Sequence, residues 1–160
     1  WDKAKVDILS SNKQKLLQIL SIDRGGDRPR KDITYFSEVL DLYKYVLPNF
    51  EPVFNVDGVE SKDDLVAFLK DYQEQYTELA SNQDWFDNLK EVANRHNFVD
   101  NKLYKQTPTM YAGNVATASK FVRISITGSE NSPELYSIMK ILGMEECKWR
   151  INKLIKYLAK

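Results

Sequence analysis

The chain has 160 residues, 42% hydrophobic and 12% aromatic, which suffices for one ordinary domain or two small subdomains but is too short for most multi-step enzymes. No apolar run reaches the ~18–20 residues of a membrane span, and the N-terminal residues lack a signal-peptide layout, so we expect a cytoplasmic protein with no membrane partner. The one cysteine and one histidine exclude an internal disulfide and a Cys/His zinc cluster.

The charges balance overall but not locally. The chain carries 23 basic and 23 acidic residues, so bulk attraction to DNA, RNA or anionic lipid is not expected. Residues 1–31 nevertheless hold eight basic and four acidic side chains, residues 32–119 seven and fifteen, and residues 120–160 eight and four. The basic ends are either solvated helix faces or an RNA-facing surface.

The first third of the chain predicts helices around a polar loop. Apolar residues from Val6 to Leu20 recur at helical spacing and predict one or two helices, which end at the Gly- and Arg-rich loop 23–31. Asp32 is predicted to cap a helix whose apolar stripe runs from Phe36 to Val46.

Two further helices are predicted in the acidic middle. After a connection at Asp57-Gly58, Ser61 and Asp64 resemble a capping box that opens a helix with apolar positions as far as Leu79. Asp84 is predicted to open the next helix, with five residues buried along it, namely Trp85, Phe86, Leu89, Val92 and Ala93.

The C-terminal third contains one ambiguous segment. Phe121–Thr127 alternates with a period of two and is rich in β-branched residues, so by itself it reads as a strand, although buried helix gives similar patterns. Ser132 and Pro133 form a typical helix start, with serine as cap and proline at the first helical position. The last helix is predicted to point Cys147 inward, and to point its basic residues mostly outward, namely Lys148, Arg150, Lys153 and Lys156.

No active site emerges from the sequence. His96 lies at a predicted helix end, where a surface or capping role is expected, and Cys147 is expected to be an inert core residue. There is no P-loop. Two stretches carry more polar chemistry than folding demands: the loop from Arg24 to Lys31, whose guanidinium groups can bind phosphate or base edges, and the segment from Arg123 to the polar loop 127–133.

These motifs together carry a resemblance to a known family. Arg28-Pro-Arg-Lys-Asp-Ile33, then Phe121-Val-Arg-Ile-Ser-Ile-Thr-Gly128, Ser132-Pro-Glu-Leu-Tyr136 and Ile141-Leu-Gly-Met-Glu-Glu146 occur in the order found in one enzyme family. The chain resembles the C-terminal, anticodon-binding region of bacterial glutamyl-tRNA synthetase, a class I aminoacyl-tRNA synthetase. Class I lysyl-tRNA synthetase has a similar C-terminal region and is one alternative; a stand-alone helical protein-interaction module is another.

The resemblance implies an all-α fold, with two small helical subdomains, residues 1–100 and 101–160, that form an anticodon-binding helical cage. It therefore implies that Phe121–Thr127 is helical. It also implies that the catalytic Rossmann domain, which uses ATP and Mg²⁺ to attach glutamate to tRNA, lies upstream and outside this fragment. The fragment is then expected to be non-catalytic, monomeric and without a cofactor or metal of its own.

The resemblance also assigns RNA-binding residues. Arg123 stands where the family has an anticodon-loop arginine, and Ser132, Pro133 and Leu135 match a threonine, proline and leucine that cradle an anticodon base. The family arginine that reads the third anticodon letter aligns with Pro29, so Arg28 and Arg30 flank its position, with Lys31 in the same loop. The expected partner is tRNA(Glu), with tRNA(Gln) as a second candidate.

Overall fold

The computed structural model describes residues 3–56, 61–78 and 80–160. In these ranges the chain is predominantly helical, as the resemblance implied, with nine α-helices: α1 Lys3–Ser11, α2 Lys13–Ser21, α3 Val39–Leu42, α4 Lys62–Gln75, α5 Asn82–Arg95, α6 Asn101–Gln106, α7 Val115–Thr127, α8 Leu135–Leu142 and α9 Met144–Leu158. Two short parallel strands pair, β1 Phe98–Val99 with β2 Gly113–Asn114. Within the same ranges, no helix has the length and apolar character needed to cross a bilayer.

The core lies between α4, α7 and α9, with α5 packed against α4 and α7. The helix α8 packs against α9 and against α2, which places the start of the chain beside its C-terminal third. One cluster of buried apolar residues extends from Leu16 to Leu158 and includes side chains on both sides of residue 100. The division into subdomains 1–100 and 101–160 stays a prediction.

The segment that reads as a strand in isolation is helical. Phe121–Thr127 forms the second half of α7, which confirms the fold implied by the resemblance and corrects the strand interpretation. Six of its seven residues are buried, so burial on most sides removes the helical periodicity that a half-exposed helix would show. Asn114 caps the helix through its side-chain oxygen, and Gly128 ends it with φ of +71°.

Two helix starts test the capping predictions. Ser61 caps α4 as predicted, its Oγ accepting from the backbone N–H of Asp64 at 3.4 Å. The next helix begins at Asn82 and not at Asp84, because Ser81 is the cap and accepts from the Asp84 N–H at 3.1 Å. The predicted connection at Asp57-Gly58 and the apolar position Leu79 lie outside the described residues, and α4 ends at Gln75.

The predicted helix from Phe36 to Val46 is wrong as a single element. The structure has a 3₁₀ turn over Phe36–Glu38, the short α3, and a second 3₁₀ turn over Lys44–Val46. Asp32 caps none of them, because its carboxylate is bound by two arginines of the preceding loop. Tyr43, with φ of −118°, interrupts the helical backbone while its ring stays buried.

Arg150 points inward, contrary to the sequence prediction. Its side chain is 1% exposed, and its Nη1 donates to the carbonyl oxygen of Ile126 at 2.6 Å. That carbonyl belongs to the last turn of α7, so no backbone N–H of the same helix lies one turn further on to donate to it. Nε donates to Glu146 at 2.8 Å, and the guanidinium lies over the Phe50 ring at 5.0 Å. Arg150 therefore fastens α9 to the end of α7.

Candidate nucleic-acid interface

A cleft runs between α5 and α7 and consists of two adjoining cavities. Both are lined by Phe86 of α5 and by Ser119 and Arg123 of α7. The first, which we call the α8-side pocket, has a volume of about 340 Å³ and also contacts Trp85, Asn82, Gln83, Glu134 and Leu135. The second, the α6-side pocket, has a volume of about 430 Å³ and also contacts Lys90, Asp100, Asn101, Val115, Ala116 and Lys120.

The cleft exists because of how residues are spaced along α7. Ala116, Ser119, Lys120 and Arg123 recur three and four positions apart and share one face of the helix. The opposite face, with Phe121 and Ile124, is buried in the core. Since Ala116 and Ser119 are small, they leave space beside Phe86, and the longer Arg123 lines both pockets.

Arg123 lies in the cleft without a compensating charge. Its Nε is buried and has no hydrogen-bond partner. Among the ion pairs of the described residues none involves Arg123. A buried donor without an acceptor is costly in a folded protein and is commonly completed by a bound group. The donor therefore suits an acceptor-bearing ligand.

The acidic residues of the cleft already have partners. The carboxylate of Glu134 accepts from the backbone N–H groups of Tyr136 and Ser137, at 2.9 and 2.8 Å. The carboxylate of Asp100 accepts from Lys102 and Leu103 in the same way. Both carboxylates serve as caps at helix starts, and neither is found in an ion pair with Arg123 among the described residues.

The structure brings only part of the predicted base cradle together. Arg123 and Leu135 line the α8-side pocket, whereas Ser132 and Pro133 are not among the side chains that line it. Ser132 donates to the carbonyl oxygen of Pro133 at 2.8 Å, and Pro133 is buried. The predicted capping role of Ser132 is wrong, because α8 begins at Leu135 and Glu134 is its cap.

The early basic loop forms a network of its own. Arg24 and Arg30 both pair with Asp32, and the Tyr43 hydroxyl donates to Asp32 while it accepts from Arg30. The hydrogen bond from Arg30 holds the pKa of Asp32 well below its usual range, with a further contribution from Tyr43. Nε and Nη1 of Arg30 remain buried without partners, whereas Arg28 and Lys31 are exposed.

One contact joins the two predicted RNA-binding segments. The backbone N–H of Glu134, the cap of α8, donates to the carboxylate of Asp23 at 3.2 Å. Asp23 has φ of +58° and stands at the entrance of the early loop. The loop that carries Arg28, Arg30 and Lys31 is therefore attached at the helix start that borders the α8-side pocket.

Sequence reasoning missed Phe86, Lys90, Ser119 and Lys120. Phe86 was predicted to be buried, but 41% of it is exposed. A signal was available, because consecutive helical residues point about 100° apart, so Trp85 and Phe86 cannot both lie at the centre of the buried face. Trp85 is the buried one, and its Nε1 donates to the Tyr72 hydroxyl at 2.9 Å.

Cys147 and His96, the one cysteine and the one histidine, both lie in structural positions outside the cleft. Cys147 is buried, and burial raises the pKa of its thiol to about 12, so it stays protonated at neutral pH. His96 follows the end of α5, with Nε2 at 2.8 Å from the Asp71 carboxylate. Neither residue lines the cleft.

Comparison with known proteins gives one consistent result. The family described as "Anticodon binding domain" matches residues 27–155. Among curated relatives, glutamate–tRNA ligase of Acetivibrio thermocellus is 32% identical over 97% of this chain, and those of Clostridium perfringens strain 13 and Clostridium beijerinckii are each 30% identical, over 94% and 97%. The chain spans 29% of the length of each of these relatives. No solved structure matches it.

Proposed function

Because the chain belongs to the anticodon binding domain family, we propose that it is the tRNA-binding part of a glutamate–tRNA ligase and recognises the anticodon of tRNA(Glu). Attachment of glutamate, with ATP and Mg²⁺, would be carried out by a part of the protein outside these 160 residues. Cytoplasmic localisation and a monomeric state belong to the same proposal.

One observation in the structure supports this function most directly. Arg123 presents a buried donor without a partner in a pocket that Leu135 also lines. An unstacked base offers acceptors on its edge and an apolar face, which match the guanidinium and the leucine respectively. The pocket therefore suits one splayed base of a single-stranded RNA loop better than the regular surface of a duplex.

The test is a titration of the chain with tRNA(Glu) and with the same tRNA carrying altered anticodon bases, at one salt concentration. We expect anticodon changes to weaken binding by about 1–3 kcal/mol each, and tRNA(Lys) and single-stranded DNA of the same loop sequence to bind more weakly. Association that is blind to the anticodon and depends only on salt would contradict the proposal and favour a protein-interaction module.

The third anticodon letter is a separate part of the proposal. Glutamate and glutamine anticodons differ at this letter, which is C in the first and G in the second. A guanidinium group only donates hydrogen bonds, so it favours the O2 and N3 acceptors on the Watson–Crick edge of cytosine over the N1–H and N2–H donors of guanine. Arg30 keeps two unpartnered donors beside Asp32, while Arg28 is exposed. We propose Arg30 as the reader.

The variants Arg30→Gln and Arg28→Gln distinguish the two arginines. We expect Arg30→Gln to reduce discrimination between tRNA(Glu) and tRNA(Gln) by about 1–3 kcal/mol and Arg28→Gln to weaken both alike. A selective loss with Arg28→Gln alone would assign the role to Arg28. Equal losses in both variants would show that the loop only positions the RNA backbone.

A further inference from the structure

Phe86 is an exposed aromatic residue at the boundary between the two pockets. It lines both of them, and 41% of its surface is accessible. Its ring centroid lies 6.4 Å from that of Trp85, at an interplanar angle of 43°. Trp85 is in turn held by Tyr72 and by a ring contact with Tyr136 at 6.3 Å. Phe86 therefore stands on a rigid base and exposes part of its ring to the cleft.

Cationic side chains surround the pocket beyond Phe86. Lys90 lies one turn further along α5, and among the described residues it forms no ion pair. Lys120 lies one turn before Arg123 on α7. Its Nζ donates to the exposed Glu130 at 3.4 Å and lies 5.1 Å from the centroid of the Phe121 ring. The Asp100 carboxylate of this pocket is already bound at the start of α6. The α6-side pocket is thus positively charged.

An exposed aromatic ring beside lysines, in a cavity of about 430 Å³, is the arrangement that binds single-stranded nucleic acid by stacking and phosphate contact. We propose that the α6-side pocket is a second nucleotide site, in which a base stacks on Phe86 and its phosphate lies between Lys90 and Lys120. The occupant is a second nucleotide of the same RNA loop, next to the site at Arg123 and Leu135 that binds the first base. This inference rests on the proposed function, since both sites bind one RNA strand.

The site is tested with anticodon stem-loop RNAs that carry 2-aminopurine at one loop position at a time. In wild type, stacking on Phe86 is expected to change the 2-aminopurine fluorescence at one loop position on binding. In Phe86→Leu we expect that fluorescence change to be lost and the affinity to fall about tenfold, the scale of one lost base stack. Phe86→Tyr keeps the ring and is expected to retain both. The control Phe36→Leu removes a phenylalanine that is 59% exposed elsewhere and leaves both unchanged.

A second variant tests the phosphate contact independently. Lys90→Gln is expected to reduce the magnitude of the slope of log affinity against log salt concentration by about one, while the fluorescence change on binding remains. If wild type binds the RNAs in an anticodon-dependent way, but Phe86→Leu keeps both the fluorescence change and the affinity, the second site is wrong and the proposed function stands. If wild type shows no anticodon dependence at all, the proposed function itself fails.

Discussion

The early loop and the α5–α7 cleft both contain arginines, but the guanidinium groups have different partners in the two regions. Asp32 pairs with both Arg24 and Arg30 within the loop, so its one negative charge offsets part of their two positive charges, and Tyr43 adds a hydrogen bond. Arg123 has no carboxylate partner, because Glu134 and Asp100 are engaged by backbone N–H groups at helix starts. Arginine content alone therefore does not describe a binding surface. Arg123 forms no ion pair among the described residues, whereas Arg30 is anchored by Asp32 and keeps its Nε and Nη1 donors for a ligand.

The largest expected effect is on RNA binding at Arg123. Arg123→Met removes the donors but keeps the length of the side chain, and we expect tRNA affinity to fall by about 1.5–3 kcal/mol, the range of charged hydrogen bonds. Stability should change by less than about 0.5 kcal/mol. Binding titrations and urea unfolding measure the two. The control is Arg95→Met, at an arginine paired with Asp71 at the end of α5. Equal losses of affinity in the two variants would show that an arginine without an ion pair is no more available to RNA than a paired one.

The reverse pattern is expected at Arg150, an arginine completely committed to the fold. Arg150→Met leaves the buried carbonyl of Ile126 without its donor, and we expect the free energy of unfolding to fall by about 1–3 kcal/mol. The tRNA affinity of the folded protein should not change. Lys156→Met, at an exposed position of the same helix, should leave stability within about 0.5 kcal/mol of wild type. A loss of affinity without a loss of stability at Arg150 would contradict the structural assignment.

A pair of variants tests which residue caps α8, the helix that borders the cleft. Glu134→Ala removes the cap of α8, and we expect it to destabilise the protein by about 1 kcal/mol. Ser132→Ala removes only a hydrogen bond to the adjacent Pro133 carbonyl and should change stability by less than about 0.5 kcal/mol. Thermal unfolding of both variants decides between them. A larger loss for Ser132→Ala would restore the serine as the cap.

Local features of the sequence predicted the helix starts only in part. Ser61 was identified as a cap because the residues that satisfy a helix start lie within three positions of it. At Ser132 the same reasoning misplaced the start by two residues, since Glu134 competes for the capping role with its own carboxylate. The helical state of Phe121–Thr127 came from the resemblance and not from its periodicity, because burial on most sides leaves no helical pattern to read.

Features that depend on distant partners could not be predicted. The inward direction of Arg150 requires the carbonyl of Ile126, 24 positions away, and nothing near Arg150 in the sequence indicates it. The pairing of Arg24 and Arg30 with Asp32 is local in sequence, but the role of Tyr43 depends on how the 3₁₀ turns place its ring. Of the residues predicted for the site, Arg123 and Leu135 line the α8-side pocket, and their role in RNA binding stays a prediction. The α6-side pocket depends on α5 and α7 meeting in space.

In the early loop a smaller effect on stability is expected. Arg30→Gln removes one of the two arginine partners of Asp32 and the cation–π contact with Tyr43, 5.5 Å from the ring centroid. Because the pair is partly exposed and Arg24 remains, we expect a loss of about 0.5–1 kcal/mol. Arg28→Gln, in the same loop but exposed, should lose less than Arg30→Gln in urea unfolding. Equal stability of the two variants would show that the network contributes nothing to the fold.

The smallest expected effect is a pH dependence that originates in the same network. The hydrogen bond from Arg30 lowers the pKa of Asp32 in the folded protein below the unfolded value of about 3.9. A carboxyl group whose pKa is lowered by folding contributes stability above the unfolded pKa and loses it as the pH falls through the folded one. Asp32→Asn should therefore be less stable than wild type at pH 7 by a few tenths of a kcal/mol, since partly exposed pairs are weak.

That difference in stability should narrow between pH 5 and pH 3, because Asp32 of the unfolded wild-type chain takes up a proton there while the folded carboxyl group stays ionised, and 1 M salt should reduce the difference at pH 7. Urea unfolding of both proteins at pH 7, 5 and 3 measures it, with Asp41→Asn, at an exposed position of α3, as the control. A difference that grows on acidification would mean that protonated Asp32 is the form bound in the loop. Arg24 and Arg30 would then carry uncompensated charge, and the early loop would resemble the α5–α7 cleft.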